Sequence, residues 1–161
     1  MVSDHVIEQL QFDEGYCKNT YNCSEGKLTV GYGYNLESNE LQLPVSQVNQ
    51  IKRDGLPRVE AYQMLLEIVD KRSKALQDAL PWLSKLTPAR KAVLLNMSYQ
   101  MGVPGLLKFT RTLAAAKRGD YATCAVYMLE SKWAKQTPAR AKRLAEQMHK
   151  GEFTYNSKGA L

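Results

Sequence analysis

Lys27-Leu28-Thr29-Val30-Gly31-Tyr32-Gly33-Tyr34-Asn35 alternates apolar and polar positions as a half-buried strand does, and turn formers Asn19, Asn22, Ser24 and Gly26 precede it. It predicts a small hairpin-type sheet, the only β region the sequence supports. The stretch before it carries Glu14, then Cys23 after eight residues and Thr29 after five more. One proton donor, one ionisable thiol and one hydroxyl are thereby set around a Gly-rich strand. Hydrolysis of an acetal needs an acid, a base or nucleophile, and a group that orients water. Singly, each residue also reads as ordinary: Glu14 as a surface carboxylate, Thr29 as a strand former. Gly31 and Gly33 permit close approach of another group to the backbone. They form no phosphate loop, because GxGxxG and a following helix are missing.

Outward from this stretch the pattern is helical. Ser3 and Asp4 followed by Val6, Ile7 and Leu10 predict an amphipathic helix over 3–13. Glu14 then sits at its C-terminal end, near the negative pole of the helix dipole, an environment that favours a protonated carboxyl. Pro44 opens a short helix to about Lys52, closed at Asp54-Gly55. After Pro57, Val59, Tyr62, Leu65, Leu66, Val69 and Leu76 form an apolar stripe, predicting a long helix over 58–80. At ~1.5 Å per residue it is long enough to join two lobes. Beyond Pro81 all is helical, with short helices over 106–109, 112–117 and 121–129, breaks at Gly102, Gly105 and Gly119-Asp120, and an irregular tail over 151–161. Thr87-Pro88-Ala89-Arg90 and Thr137-Pro138-Ala139-Arg140 are identical, each read as a Thr N-cap with Pro in first helical position.

The expected fold is therefore α+β and mainly α. It is one domain over 1–161, with a sheet-bearing lobe at about 14–57, a connecting helix at 58–80 and a helical lobe at 81–161 on which helix 3–13 packs. A cleft between lobes suits a polymer.

Hydrophobic residues make up 44% of 161 positions, as in globular proteins, and no stretch approaches the ~20 apolar residues of a membrane span. The N-terminus lacks the basic and apolar regions of a secretory signal. The net charge of +6 is uneven: residues 1–56 net −4 and residues 57–161 net +10. A basic surface attracts polyanions such as nucleic acid, anionic lipid or acidic wall polymer, and equally serves solubility. Cys17, Cys23 and Cys124 are odd in number and lack CxxC spacing, arguing against a zinc site and a disulfide framework. A Cys17–Cys23 bridge stays open. Cys124 reads as a small buried hydrophobe. His5 and His149 stand alone, without metal-ligand spacing.

The Glu14, Cys23, Thr29 order with Thr29-Val30-Gly31-Tyr32-Gly33 resembles the catalytic signature of the T-even-type phage lysozymes, glycoside hydrolase family 24. Asn96-Met97-Ser98-Tyr99-Gln100-Met101-Gly102 with Phe109-Thr110 resembles that family's helix at the back of the cleft. Ser131-Lys132-Trp133-Ala134-Lys135-Gln136-Thr137-Pro138-Ala139-Arg140-Ala141-Lys142-Arg143 resembles its C-terminal signature. The three blocks occur in family order and span almost the whole chain. The resemblance implies a two-lobe lysozyme fold and a muramidase that cuts the β-1,4 bond of peptidoglycan with inversion.

It also implies roles. Glu14 matches the general acid, Cys23 the group that activates water or attacks, and Thr29 the hydroxyl that places the water. Arg140 matches the partner of the catalytic Glu, and Glu25 and Lys132 an acidic and a basic residue facing each other across the cleft mouth. Asn35, Tyr99, Gln100, Thr112 and Tyr127 match substrate-contacting positions, and Trp133 a core residue. No cofactor or metal is implied. The expected partner is peptidoglycan, with no nucleic acid and no membrane anchor; the protein would be a monomer, released from the host cytoplasm to the periplasm through a holin pore, or virion-borne.

Two positions depart from the pattern. Tyr34 stands where the family often has His, so an ion pair of that His is missing. Cys23 replaces the usual Asp; neighbouring Glu14 and Glu25 would push its thiol towards the neutral form, and Arg140 or Lys132 would oppose them. A lytic transglycosylase, which needs less of a base, and a non-catalytic wall- or nucleic-acid-binding module are the rival readings.

Overall fold

The computed structural model describes residues 2–161. Ser3 caps α1 (Asp4–Glu14), its hydroxyl accepting the His5 N–H at 3.2 Å, and Gly15 at φ 65° ends the helix. β1 (Cys17–Asn22), β2 (Leu28–Gly31) and β3 (Tyr34–Asn35) follow as an antiparallel sheet in the order β1-β2-β3. α2 (Val45–Asp54) closes at Gly55, and α3 (Arg58–Ala79) runs for 22 residues. A 3-10 turn (Pro81–Lys85) leads to α4 (Pro88–Leu107), α5 (Thr110–Lys117), α6 (Tyr121–Glu130), α7 (Lys132–Gln136) and α8 (Pro138–Lys150). β4 (Tyr155–Asn156) and β5 (Gly159–Ala160) end the chain as an antiparallel pair. This is a mainly α, α+β architecture with a small sheet near the N-terminus, as the hydrophobic pattern predicts.

The buried apolar side chains form one continuous cluster. It runs from Val6 and Leu10 of α1 and Val30 of β2, through Leu65 and Val69 of α3, to Met97, Met128, Leu144 and Tyr155. α3 carries it from end to end, packing on β2, α1 and α4. Fully burying a Leu or Met side chain contributes about 1.5–3 kcal/mol, so this stripe is what holds sheet and helices to one frame. Among the described residues no helix is long and apolar enough to cross a membrane.

The structure differs from the sequence reading in four places. Asn19 and Asn22, read as turn formers, lie within β1, and the run 27–35 is divided into β2 and β3 by a turn at Tyr32-Gly33. The tail is not irregular throughout: β4 and β5 pair there, and Tyr155 is fully buried against residues 142 positions away. The helical break falls at Gly102 (φ 77°, ψ 160°), whereas Gly105 lies inside α4, and Leu106–Phe109 is no helix of its own. The two Thr-Pro-Ala-Arg segments also behave differently. Thr87 caps α4 by accepting the Arg90 N–H at 3.3 Å. Thr137 makes no cap, because α7 ends directly before it and its hydroxyl donates back to the Trp133 carbonyl at 3.1 Å.

Candidate active site

Glu14 is the last residue of α1, and its side chain is 16% exposed. The helix end is not the only field acting on it: Arg140 Nη1, from the first turn of α8, donates to Oε1 at 3.0 Å. The opposite side of the carboxylate lies against β2–β3, where Gly33 has φ 69°. A Cβ at that position would stand 2.5 Å from Glu14 Oε2. Glycine is needed there for both its conformation and its lack of a side chain.

Arg140 is buried and joins more than one acid. Its Nε donates to Asn96 Oδ1 at 3.0 Å and lies 3.7 Å from Asp13 Oδ2. The Asp13 side chain is fully buried and accepts from Asn96 Nδ2 at 2.8 Å, from Arg143 Nη2 at 2.7 Å and from the Tyr155 hydroxyl. Sequence reading missed Asp13, Arg143 and Tyr155 as parts of this support. The adjacent acids Asp13-Glu14, matched to Arg140 and Arg143 three residues apart on one helix face, were the signal available. Such a network is stable only when its charges are paired, so it fixes the orientation of Glu14.

Cys23 stands just beyond β1 in a tight turn: its N–H bonds the Lys27 carbonyl at 2.9 Å, and its carbonyl accepts the Gly26 N–H at 2.8 Å. Partial desolvation pushes the thiol up. Backbone hydrogen bonds at Glu25 and Lys27 outweigh this, helped by the neighbouring Thr29 hydroxyl when it turns to the sulfur, and bring it below its ordinary value, although the Glu25 charge pushes up. The sulfur is thus poised by the turn's amides, not by Arg140 or Lys132 across the site. Thr29 is buried on β2 and donates its hydroxyl proton to the Lys27 carbonyl at 2.8 Å. It can therefore accept from a neighbouring O–H or S–H, but donates to a thiolate only by turning from that carbonyl. All three cysteines are free. Cys17 and Cys23 lie at opposite ends of β1, and six residues at ~3.3 Å each exceed the reach of a disulfide by far.

A cavity of about 730 Å³ adjoins this turn. Glu25 lines it from the sheet side; Gln100, Thr112, Tyr127, Lys132 and Trp133 line it from the helices. Glu25 and Lys132 share it without an ion pair within 4.0 Å. Gln100 Oε1 accepts from Trp133 Nε1 at 2.8 Å, which fixes both side chains at the wall, and Trp133 is buried with its ring edge-on to Phe109. The Arg111 guanidinium lies 4.3 Å from the centre of the Tyr127 ring. Tyr99 is deeper: its hydroxyl donates to the Tyr32 carbonyl at 2.6 Å, tying α4 to the Gly-rich turn. Burial, with the charge of Glu14, keeps that phenol neutral well above its usual range. Asn35 pairs opposite Thr29, and its Oδ1 accepts the Glu37 and Ser38 N–H groups at 2.9 and 3.0 Å, closing a turn. Tyr34 donates to Asn39 Oδ1 at 2.6 Å and accepts the Leu41 N–H at 3.1 Å, so it orders the loop after β3 through neutral bonds.

A family model described as phage lysozyme matches residues 11–150. Among curated proteins the chain is 28% identical over 166 residues to "Probable T4-type lysozyme 1" of Dictyostelium discoideum, covering 94% of this chain and 96% of that protein. It is 27% identical over 158 residues to "Probable T4-type lysozyme 2" of the same organism, covering 89% and 92%. It is also 29% identical over 153 residues to the "Pre-baseplate central spike protein Gp5" of Enterobacteria phage T4, covering 86% of this chain and 26% of that protein.

Proposed function

The chain belongs to the phage lysozyme family, and from that membership we propose that it is a muramidase: it hydrolyses the β-1,4 bond between N-acetylmuramic acid and N-acetylglucosamine in bacterial peptidoglycan. The observation that carries this reading is the placement of Glu14. A carboxyl gripped by Arg140 and pressed against a glycine is held still, as a general acid must be.

Glu14 gives its proton to the glycosidic oxygen as the bond from the anomeric carbon to that oxygen breaks. A water attacks the same carbon from the other face and loses a proton to the Cys23 thiolate while Thr29 steadies it. The Cys23 thiol then gives its proton to solvent, Glu14 takes one from solvent, and the configuration is inverted. A thiol held below its ordinary value ionises more readily, as a base has to before it can act. The sheet-bearing lobe and the helical lobe would grip the glycan from two sides, with Gln100, Thr112 and Tyr127 as contacts along the cavity. The excess of positive charge in residues 57–161 favours an anionic wall polymer, and activity should fall as salt screens it. In a host cell we place its action in the periplasm, where it would cause lysis.

Mass spectrometry of muropeptides released from purified sacculi tests the reading. Reducing ends, lost in Glu14→Gln and in Cys23→Ala but kept or increased in Cys23→Asp, are the expected result. Anhydro-muramic ends would sink the hydrolase in favour of a lytic transglycosylase. Wall binding without any product would leave only a binding module.

A further inference from the structure

Tyr21 lies opposite Thr29 in the β1–β2 register, and Thr29 lies opposite Asn35 in β2–β3. Residues directly opposite across antiparallel strands share a face, so Tyr21, Thr29 and Asn35 form one row across the sheet. Cys23 follows two residues after Tyr21, just past the end of β1, where its N–H still pairs with the Lys27 carbonyl and carries the strand's alternation one step further, to the same side. The Tyr21 ring is half-buried, and its hydroxyl makes no hydrogen bond to another described residue.

We propose that Tyr21 is the third protein contact of the attacking water, its phenol hydroxyl holding that water beside Cys23 and Thr29. This rests on the hydrolase reading above. A carboxylate can hold a water with two directed oxygens. A single sulfur is a weaker and less directional acceptor, so a thiol at position 23 leaves the water under-held.

The row supplies what is missing. Thr29 has its one proton on the Lys27 carbonyl, so it offers the water an acceptor. Cys23 accepts the water's other proton. Burial pushes the Tyr21 phenol above its usual range, so it keeps its proton. It is therefore a donor to one lone pair of the water. The remaining lone pair is the one left to attack carbon. Tyr21 keeps its proton throughout, so it positions the nucleophile and takes no part in the proton balance.

Tyr21→Phe removes the hydroxyl and keeps the ring. Steady-state kinetics on soluble peptidoglycan fragments, with thermal unfolding alongside, should show kcat down by roughly tenfold or more with KM little changed and the fold intact. The same change in Cys23→Asp should cost less than about threefold, because a carboxylate holds water unaided. An unchanged kcat in the Cys23 enzyme overturns the proposal, whatever the Asp variant does. So does a rise in KM with kcat retained, which would make Tyr21 a sugar contact. Equal losses in both backgrounds also overturn it, by uncoupling Tyr21 from the thiol. Failure of the hydrolase reading registers separately, as anhydro products or as full activity in Cys23→Ala.

Discussion

Arg140 Nη1 and Glu14 Oε1 meet at 3.0 Å although 126 residues separate them in sequence. The same guanidinium reaches Asn96 and Asp13, so one buried cation orders two adjacent acids at the end of α1. Removing one member of such a group leaves uncompensated charge in the interior, at a cost of about 3–5 kcal/mol. Arg140→Leu is expected to lower the urea midpoint accordingly and to abolish most activity. Arg140→Lys keeps the charge but cannot span Glu14 and Asn96 together. It should retain more stability than the Leu variant while kcat still falls. A loss under about 1 kcal/mol in Arg140→Leu would show that the guanidinium is dispensable.

Gly33 tests whether the placement of Glu14 matters apart from the stability of the fold. An Ala there has to adopt φ 69° and bring a Cβ to 2.5 Å from Glu14 Oε2. Strain in the left-handed region costs roughly 1–2 kcal/mol. The carboxylate has to move, since it is the free end of a side chain, and it then leaves its geometry with Arg140. Displacement of a catalytic group by about 1 Å costs on the order of 100-fold in rate. Gly33→Ala should therefore lose far more kcat than its modest drop in unfolding midpoint explains. Equal activity at equal stability would show that Glu14 tolerates displacement.

The helix end at Glu14 and the alternating run that carries Thr29 were legible because their signals are local, whereas roles for Glu14, Cys23 and Thr29 came from the resemblance of three separated blocks, not from any one residue. α1 and α3 fall within a residue or two of their expected limits for the same reason. What escaped was set by distant partners. Tyr155 lies in a short polar tail with no period, and partners far away in sequence, Asp13 and Asn96 at its hydroxyl and Gln9 at its carbonyl, make its burial favourable. Thr137 has the same neighbours as Thr87 but ends one helix as it enters the next, which takes its hydroxyl away from capping. The expected state of Cys23 followed from nearby charged side chains. The stronger influence is a set of backbone amides that only the folded turn brings to the sulfur.

Tyr155 and Tyr99 make the protein sensitive to alkali. Burial pushes both phenols up, helped at Tyr155 by the Asp13 charge and hydrogen bond and at Tyr99 by Glu14. In the unfolded chain they ionise near the ordinary value of 10.0. A raised folded value means that the folded state holds the proton more tightly. The stability contributed is complete below pH 10 and is lost as pH rises beyond it. Urea midpoints should therefore fall above about pH 10, and Tyr155→Phe should flatten part of that fall. A midpoint constant to pH 11 would show that neither phenol resists ionisation in the fold.

The poised thiol gives the most direct solution test of the turn. In a Cys17→Ser variant, alkylation by iodoacetamide should report Cys23, because Cys124 is buried and its thiol is pushed up to about 11. The thiolate is the reacting form, so the rate rises with pH through the thiol's own value. That midpoint should lie below the ordinary 9.0, since the hydrogen bonds at Glu25, Lys27 and Thr29 together outweigh the upward push of desolvation. Two variants carry opposite signs. Thr29→Val removes a hydroxyl that can turn to the thiolate and should move the midpoint up; Glu25→Gln removes a negative neighbour and should move it down. If Cys23 is the base, the rising limb of the activity profile shifts with the alkylation midpoint in both variants, because the same thiolate is being counted. A limb that stays fixed while the alkylation midpoint moves would take the thiol out of the proton transfer and leave Glu14 with a water held by Thr29.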